Sequence, residues 1–267
     1  MPRPHTQRRI GLARAISKLG YCSRAQAARL IRDGKVKLNH AVRHDPETPV
    51  NLQDDAIEVD GQPIAAGPKT YLMLNKPRNV VTTASDEKGR DTVYSLLSPN
   101  LPWLAPVGRL DKASEGLLLL TNDSEWAARI TSPESHLEKT YHVQIAGIAD
   151  ARLLTTLRQG VSDQRDFLRV KAARMIRIGQ RNTWLEIVLD EGKNRHIRRL
   201  LAHLSVDVLR LVRIAVGPLQ LGDLPKRGSR LLTAGEKRAL DEAMALAPRE
   251  RSRSSSSVAR APTRRSS

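Results

Sequence analysis

Apolar residues recur at helical spacing near the start of the chain and predict two short helices. The first ends at Gly20, and its apolar face is formed by Leu12, Ala15, Ile16 and Leu19. The second begins at Ser23, whose hydroxyl is expected to cap the first turn while Gln26 reaches back to close a capping box. Gly34 ends this helix, and its buried residues are predicted to be Ala27, Leu30 and Ile31.

The pattern changes after this pair of helices. Ile57 and Val59 alternate with polar residues and are followed by Asp60-Gly61, which predicts a last strand and a turn. Residues 62–69 (QPIAAGPK) contain Pro and Gly and show no periodicity, so we expect a linker there. The pattern therefore predicts a small helix-rich domain over residues 10–61 and a larger domain over residues 70–247.

The larger domain mixes strands and helices. Its apolar runs predict strands at Tyr71–Leu74, Leu117–Thr121, Thr140–Ile145, Leu168–Met175, Trp184–Leu189 and Val208–Val216. Helical spacing predicts helices at Ser124–Ile130, Ala151–Gln159, Arg195–Leu204 and Ala234–Ala245. Thr233 and Glu236 form a second capping-box pattern before the last helix. Because strands outnumber helices and vary in length, we predict an α+β fold around a mixed, largely antiparallel sheet.

Charge distinguishes the two ends of the chain from its body. The formal net charge is +17, to which residues 1–9 contribute +3 and residues 249–267 contribute +5. We interpret residues 1–9 as a basic N-terminal arm and the Arg/Ser-rich residues 248–267 as a disordered tail. The body still carries +9, and a compact body with that surplus repels itself unless it meets a polyanion. Nucleic acid or an anionic membrane surface is the expected partner, and the same repulsion favours a monomer.

Several enzyme classes require motifs that this sequence lacks. It has no glycine-rich loop for a nucleotide or nicotinamide cofactor, no serine nucleophile elbow and no HExxH zinc helix. No segment approaches the roughly 18 consecutive apolar residues of a membrane span. A single cysteine, Cys22, excludes an internal disulfide framework and fits a reducing compartment. We therefore expect a soluble cytoplasmic protein, and we interpret His196 and His203 as surface histidines.

Basic residues cluster on and beside the second predicted helix. Few acidic residues accompany the cluster, which consists of Arg24, Arg29, Arg32, Lys35 and Lys37. Contact with phosphates is the natural use of such a cluster, and an ordinary solvated helix face explains it equally well.

The segment from Gly108 to Asp123, GRLDKASEGLLLLTND, is the most unusual in the chain. Its four leucines predict a strand buried on both faces, so the charged residues before them lie at a sheet end, where sites are often built. Asp111 lies between Arg109 and Lys112 and is expected to stay ionised, as a nucleophile requires. The residues alone nevertheless favour a structural role for Asp111, as a cap or in an ion pair.

This segment resembles the signature motif of the RsuA-type bacterial ribosomal RNA pseudouridine synthases (RsuA/RluB-like). Three further segments resemble the family's motifs in the same order: LNKP at 74–77, EKTY at 138–141 and EGKNRHIRRLL at 191–201. Residues 10–61 resemble the small RNA-binding domain of the S-four type. The resemblance covers about residues 10–240.

The resemblance implies an isomerase that detaches the uracil of a uridine, turns it and rejoins it to the sugar through carbon 5. The reaction conserves atoms, so the resemblance implies no cofactor and no metal. Asp111 would be the essential residue, either attacking the sugar or assisting removal of a sugar proton. Tyr141 would lie over the uracil and serve as base or proton relay. The alternation of β-strand residues taken alone favours a core tyrosine at that position.

Helical geometry selects Arg198 among the arginines of the third motif. At about 100° per residue, Arg198 flanks the apolar stripe of the helix, whereas Arg195 and Arg199 point away from it. The resemblance places this arginine beside the catalytic aspartate, which it orients. Lys193, Arg195 and Arg199 would face phosphates, and we add Asn194, Lys112 and Lys76 to the predicted RNA contacts. A solvated cationic helix is the simpler interpretation of this segment.

A stacked uridine must be flipped out of its helix to reach such a site, at a cost of a few kcal/mol. The resemblance implies that Arg109 occupies the vacated position in the stack. Only 3% of the residues are aromatic, so recognition is expected to rest on RNA shape and phosphate contacts.

Some positions depart from the family's pattern. Ser114 stands where threonine is more usual, and His196 where glutamine is usual. Ser124 stands where glycine often follows T-N-D, and Asn39-His40 stands where Asn-Gly is usual, so His40 must accept a turn that glycine takes more easily. None is a predicted catalytic residue, so we expect these departures to affect the choice of RNA site rather than activity.

The expected partner is ribosomal RNA or a ribosome-assembly particle, with the large subunit preferred and no membrane or DNA partner. A small-subunit synthase, a non-catalytic assembly factor and an RNA methyltransferase fused to the same small domain are the alternatives. The methyltransferase would need a glycine-rich loop or a knot-like segment, which we do not find.

Overall fold

The computed structural model describes residues 9–84, 89–164 and 166–246. Within these ranges the helices are α1 (Leu12–Lys18), α2 (Arg24–Arg32), α3 (Ser124–Thr131), α4 (Ala151–Gln159), α5 (His196–His203) and α6 (Ala234–Leu246). The strands are β1 (Ile10–Gly11), β2 (Val36–Leu38), β3 (Ala41–Val42), β4 (Pro49–Val50), β5 (Ile57–Val59), β6 (Gln62–Ile64), β7 (Tyr71–Lys76), β8 (Ala105–Val107), β9 (Glu115–Thr121), β10 (Lys139–Ala146), β11 (Val161–Ser162), β12 (Phe167–Leu168), β13 (Ala172–Ile178), β14 (Asn182–Leu189), β15 (Val208–Val216), β16 (Leu219–Gln220) and β17 (Ser229–Leu231).

The N-terminal residues form a small unit of two helices and short antiparallel strands. Apolar residues of α1 and α2 pack on β2, β4 and β5, with Leu12, Ile16, Ile31 and Val36 fully buried. The predicted capping box of α2 is confirmed, since the Gln26 amide donates to Ser23 Oγ (3.2 Å) and the Ser23 amide donates to Gln26 Oε1 (3.1 Å). The local sequence therefore specifies where this helix begins.

A nine-stranded sheet, counted over the described residues, organises the rest of the chain. Its main path runs β13-β14-β10-β15-β9-β7-β17, with β16 on β15 and β8 on β9. Every pairing in this sheet is antiparallel except the one that joins β15 to β9. The predicted α+β fold with a mixed, largely antiparallel sheet is confirmed.

The leucine run of β9 lies between two layers. Leu117 and Leu119 pack with Trp126 of α3 on one face of the sheet, and Leu118 and Leu120 pack with other apolar residues on the opposite face. All of β9 is buried, so the prediction of a strand covered on both sides is confirmed.

The other half of the sheet is covered by α4 and α5. Residues that alternate along β10 and β14, such as Val143, Ile145, Leu185 and Ile187, pack against apolar side chains of both helices. The first residues of α5, His196 and Ile197, and the first residue of β10, Lys139, line the same cleft.

Most predicted elements agree with the structure to within two residues at each end, and two segments differ by more. Gln62–Ile64, expected to begin the linker, forms β6 and pairs with β5 through the turn at Asp60-Gly61. The strand predicted at Leu168–Met175 is divided because the Val170 amide donates to the carbonyl of Leu157 in α4 (3.0 Å). Such a tertiary hydrogen bond leaves no periodic signal in the sequence.

The N-terminal arm apart from Arg9 and the Arg/Ser-rich tail lie outside the described residues. None of the described helices is long and apolar enough to cross a membrane.

Gly116, at the parallel pairing of β9 with β15, allows the tightest backbone approach at any glycine of the described chain. Its φ is +101°, and a Cβ there would lie 2.2 Å from the Arg213 carbonyl oxygen. We predict that Gly116→Ala lowers the free energy of unfolding by more than about 3 kcal/mol, because the added atom separates the strands and the φ is strained.

Thermal and urea denaturation measure this loss. Gly67→Ala is the matched control, since Gly67 has no positive φ and a Cβ there would meet no other atom within 4 Å. Equal stability of the two variants would contradict the prediction.

Candidate active site

A cleft of about 570 Å³ opens between the loop before β9 and the segment that leads into α5. The loop contributes Arg109 and Asp111, and the floor contains Tyr141 from β10 and Arg213 from β15. The cleft therefore gathers residues from three of the four family-like motifs.

Asp111 is held in the cleft by a buried ammonium group below its loop. Lys76, at the end of β7, is fully buried, and its Nζ donates to the carbonyls of Pro77 (3.0 Å), Asp111 (3.1 Å) and Ser114 (2.8 Å). These three bonds fix the turn that carries the aspartate. The side chain of Asp111 remains 34% exposed and accessible from the cleft.

Burial lowers the pKa of Lys76 to about 8, and the charges of Asp111 and Glu115 oppose that effect. Glu115 is itself fixed by Arg210 (3.0 Å) and Lys226 (2.8 Å). Burial raises the pKa of Glu115, but the hydrogen bonds from Arg210 and Lys226 outweigh burial, so the net pKa is lowered. The loop is thus held by an ammonium on one side and by an ion-paired carboxylate at the start of β9.

Arg195, rather than Arg198, forms the ion pair with Asp111. Arg195 Nη1 lies 3.6 Å from Asp111 Oδ2, whereas Arg198 donates to the carbonyls of Ala113 (3.0 Å) and Val208 (3.5 Å). The helical-wheel prediction was wrong for Arg195 because that residue precedes α5 with φ +49° and ψ +33°. A left-handed residue breaks the 100° progression on which the prediction relied.

Arg198 still acts on the same loop. Its pKa is lowered by burial and by the neighbouring Arg195, and the charge of Asp111 opposes these effects. Through Ala113 it supports the main chain two residues after the aspartate.

The floor of the cleft is built from neighbouring strands. Tyr141 is half-buried and lies opposite Arg213, which is 8% exposed and donates from Nε to the Leu117 carbonyl (2.7 Å). Tyr141 also packs against the apolar core of that half of the sheet, so it has both a cleft face and a core face. Lys139, two residues before Tyr141, lines the same cleft.

Sequence reasoning missed three cations of this region: Lys139 and Arg213 line the cleft with Asp111, and the charge of Arg78 acts on Arg198. Lys139 could have been found, because residues two apart in a strand share a face and Tyr141 was already a candidate. The other two are brought close only by the pairing of β15 with β9 and by contacts such as that of Arg78 with the Leu209 carbonyl (3.4 Å).

Three predicted RNA contacts are engaged within the protein. Lys76 cannot reach a phosphate because it is fully buried under the Asp111 loop. Arg199 forms ion pairs with Asp163 (2.6 Å) and Asp166 (2.8 Å), and Lys193 donates to the Phe167 carbonyl (2.8 Å) and contacts Glu191 (2.9 Å). The last two anchor the β11–β12 hairpin beside α5.

His196 is also buried, which corrects its interpretation as a surface residue. It is 3% exposed, and neither ring nitrogen has a hydrogen-bond partner among the described residues. Burial lowers the pKa of His196, with Glu191 opposing that effect. His203, by contrast, is exposed as predicted.

The remaining predicted RNA contacts lie on the surface. Arg109 and Asn194 are exposed at the cleft mouth, and Lys112 is exposed on the Asp111 loop. The exposed cluster of the N-terminal unit consists of Arg24, Arg29, Arg32, Lys35 and Lys37. Its ion pairs are long, at 3.9 Å for Arg29 with Asp33 and for Lys35 with Asp60. Among the described residues no group of three His, Cys, Asp or Glu is arranged to hold a metal ion.

Comparisons with known proteins match both parts of the chain. The model of the RNA pseudouridylate synthase family matches residues 70–203, and that of the S4 domain matches residues 10–57. An RNA pseudouridine synthase of Aquifex aeolicus is 37% identical over 245 residues, which is 91% of this chain and 98% of that protein. The chain belongs to the RNA pseudouridine synthase family.

Two further relatives support this assignment. Ribosomal large subunit pseudouridine synthase B of Bacillus subtilis is 33% identical over 232 residues, which is 86% of this chain and 94% of that protein. A crystal structure of a pseudouridylate synthase is 29% identical, with a TM-score of 0.60 over 86% of this chain and 99% of that one. The resemblance to the RsuA/RluB-like synthases is thus confirmed.

The Lys76 contacts predict a specific pH behaviour of this synthase. We expect Lys76→Met to lower the free energy of unfolding by about 1–3 kcal/mol at pH 7.5, because three carbonyls lose the hydrogen bond from the buried lysine. In the wild type the native lysine holds its proton less tightly than the unfolded chain, so unfolding takes up a proton between pH 8 and 10.5. The free energy of unfolding of the wild type therefore rises as pH increases through that window. Lys76→Met has no such titrating group and does not show this rise.

Urea denaturation at pH 7.5 and 9.5 measures the free energy of unfolding of the wild type and of Lys76→Met. The difference between the two proteins should be larger at pH 9.5. Lys69→Met, which removes an exposed lysine, should follow the wild type at both values. A deficit that is independent of pH would count against this role of the ammonium.

Proposed function

We propose that this synthase converts a uridine of ribosomal RNA to pseudouridine and that Asp111 is its essential residue. The observation that carries the proposal is the position of the Asp111 carboxylate, which faces the cleft beside Arg195 while Lys76 fixes its main chain. A held, accessible carboxylate suits either attack on the sugar or assistance in removing a sugar proton.

Tyr141 and Arg198 complete the proposed catalytic set. Tyr141 lies over the uracil and passes on the proton that leaves carbon 5, a role compatible with its half-buried place on the cleft floor. Arg198 orients Asp111 through the main chain at Ala113 and through its charge, while Arg195 supplies the direct ion pair. The reaction conserves atoms, so the proposal includes no metal or cofactor.

RNA recognition divides between the two parts of the chain. Residues 10–61 form the proposed S-four-type RNA-binding domain, and residues 70–247 form the proposed catalytic domain. At the cleft mouth Arg109 replaces the flipped uridine in its stack, and Lys112, Asn194 and Arg195 contact phosphates. The exposed basic cluster of the N-terminal unit binds the backbone of the same RNA.

The large subunit is the preferred source of the target uridine, because the Bacillus subtilis relative is named a ribosomal large subunit synthase. A small-subunit target is the alternative, and the substrate is naked RNA or an assembly particle. We further propose that the protein acts in the cytoplasm as a monomer without a DNA partner, since a net charge of +17 disfavours self-association.

Tritium release from ribosomal RNA labelled at uracil carbon 5 tests the proposed activity. We expect the wild type to release tritium and Asp111→Asn to release none above background, because the amide can neither attack nor accept a proton. Filter binding should give both proteins the same RNA affinity within about threefold. Tight binding without release by either protein would instead support a non-catalytic assembly factor.

The two arginines near Asp111 are expected to differ in importance. Arg198→Gln should lower the rate of tritium release at least about tenfold, because it removes a half-buried charge and the support of Ala113. Arg195→Gln should have a smaller effect, since Arg195 is 51% exposed and its pair is long. Single-turnover rate constants of tritium release measure both effects. A larger decrease for Arg195→Gln than for Arg198→Gln would reverse the proposed roles of the two arginines.

A further inference from the structure

Lys139 presents an ammonium group to the cleft without a partner. Among the described residues its Nζ has no carboxylate within 4.0 Å and donates no hydrogen bond, although Lys139 is half-buried and lines the cleft. Every other lysine near the Asp111 loop has a partner or lies on the surface, as Lys76, Lys193 and Lys112 do. A half-buried, unpaired cation is costly unless a ligand compensates it.

The neighbours of Lys139 fit a base better than a phosphate. In the sheet Lys139 lies between Leu189 of β14 and Val216 of β15, and both apolar residues line the cleft. Tyr141, two residues further on the same strand face, adds an aromatic ring to this floor. The exposed cations that suit phosphates, Arg109 and Arg195, lie instead at the mouth.

Arg213 adds a second positive charge beside Lys139 on the floor of the cleft. Its own Nε is bound to the Leu117 carbonyl (2.7 Å), so its charge is fixed beside the floor opposite Tyr141. Burial and the charge of Arg213 lower the pKa of Lys139 to about 8, with Asp190 opposing them. At neutral pH the lysine is therefore mainly protonated and poorly hydrated, which makes it a strong hydrogen-bond donor.

We propose that Lys139 is a catalytic residue that donates a hydrogen bond to a carbonyl oxygen of the uracil and stabilises the charge on the detached base. This inference rests on the proposed function and assigns a residue for the stage at which the base is free of the sugar.

The chemistry of that stage requires such a donor. When the bond from uracil N1 to the sugar carbon C1′ breaks, both electrons stay on N1, and the base becomes an anion delocalised over its carbonyl oxygens. The electron deficiency left at C1′ is removed in one of two ways: C1′ forms a bond to the Asp111 carboxylate, or the sugar loses a proton to that carboxylate. Carbon 5 then attacks C1′ with the electron pair of the anion, while the bond from C1′ to the Asp111 carboxylate breaks or, in the other route, the sugar proton returns from it. The proton on carbon 5 afterwards leaves by way of Tyr141 to water, and N1 takes up a proton, so the product has the same atoms as the uridine. Lys139 stays protonated throughout and only donates, so no electrons are gained or lost.

Single-turnover tritium release by the full-length protein tests this role. Lys139→Met removes the donor but keeps an unbranched side chain, and Lys139→Arg keeps a cation. Lys69→Met is the matched control, because Lys69 is exposed and lies outside the cleft. The substrate is the ribosomal RNA, labelled at uracil carbon 5, from which the wild type releases tritium. RNA affinity is measured by filter binding and folding by thermal denaturation.

We expect Lys139→Met to lower the single-turnover rate constant on the order of 100-fold, as removal of a donor to a developing anion does. Its RNA dissociation constant should change less than about threefold, and Lys139→Arg should recover about tenfold of the lost rate. Lys69→Met should match the wild type in both measurements.

Three results would overturn the role of Lys139 and leave the proposed function intact. An unchanged rate constant would remove it from catalysis. A weaker dissociation constant with an unchanged rate constant and a smaller salt dependence would identify it as a phosphate contact. Equal losses in Lys139→Met and Lys139→Arg, accompanied by a lower melting temperature, would identify it as structural. Absence of release by the wild type itself would overturn the proposed function, and this role with it.

Discussion

The close contact of β9 with β15 at Gly116 joins the two halves of the large sheet, and the cleft forms where they meet. A side chain at Gly116 would collide with the main chain of Arg213, so only glycine lets these strands pair in parallel. The loop that carries Asp111 directly precedes β9, whereas Arg213 belongs to β15 and lies opposite Tyr141. One half of the sheet thus supplies the proposed catalytic aspartate, and the other supplies the floor over which the uracil would lie.

The charges around the cleft fall into two groups with different uses. Lys76, Arg199 and Glu115 are satisfied within the protein, and their bonds fix the Asp111 loop, the β11–β12 hairpin and the start of β9. The cations at Lys139 and Arg109 have no such partners among the described residues and face the cleft. Because desolvated charges are costly when unpaired, the first group determines shape and the second is available to a substrate.

Features that depend on residues close in sequence were predicted well. The capping boxes at Ser23 and Thr233 are both formed, since each joins side chains and amides only three residues apart. The left-handed turn that His40 was expected to accept is present, with φ +65°. The leucine run of β9 likewise indicated a strand buried on both faces, because a strand that lacks polar alternation needs apolar neighbours on each side.

The main elements could be predicted from local periodicity, and the family and the candidates Asp111 and Tyr141 from the family-like motifs. The cations that approach these two residues could not be predicted, because long-range strand pairing and burial bring them there. Arg195, and not Arg198, forms the ion pair with Asp111, because Arg195 has a left-handed backbone conformation just before α5. Lys76 is buried and donates hydrogen bonds to carbonyls 35 and 38 residues away. Lys139 lies in the cleft because its strand, β10, pairs with β14 on one side and with β15 on the other. A charged side chain carries no periodic signal for its partner, since burial and long-range pairing determine whether it binds the protein or faces a ligand.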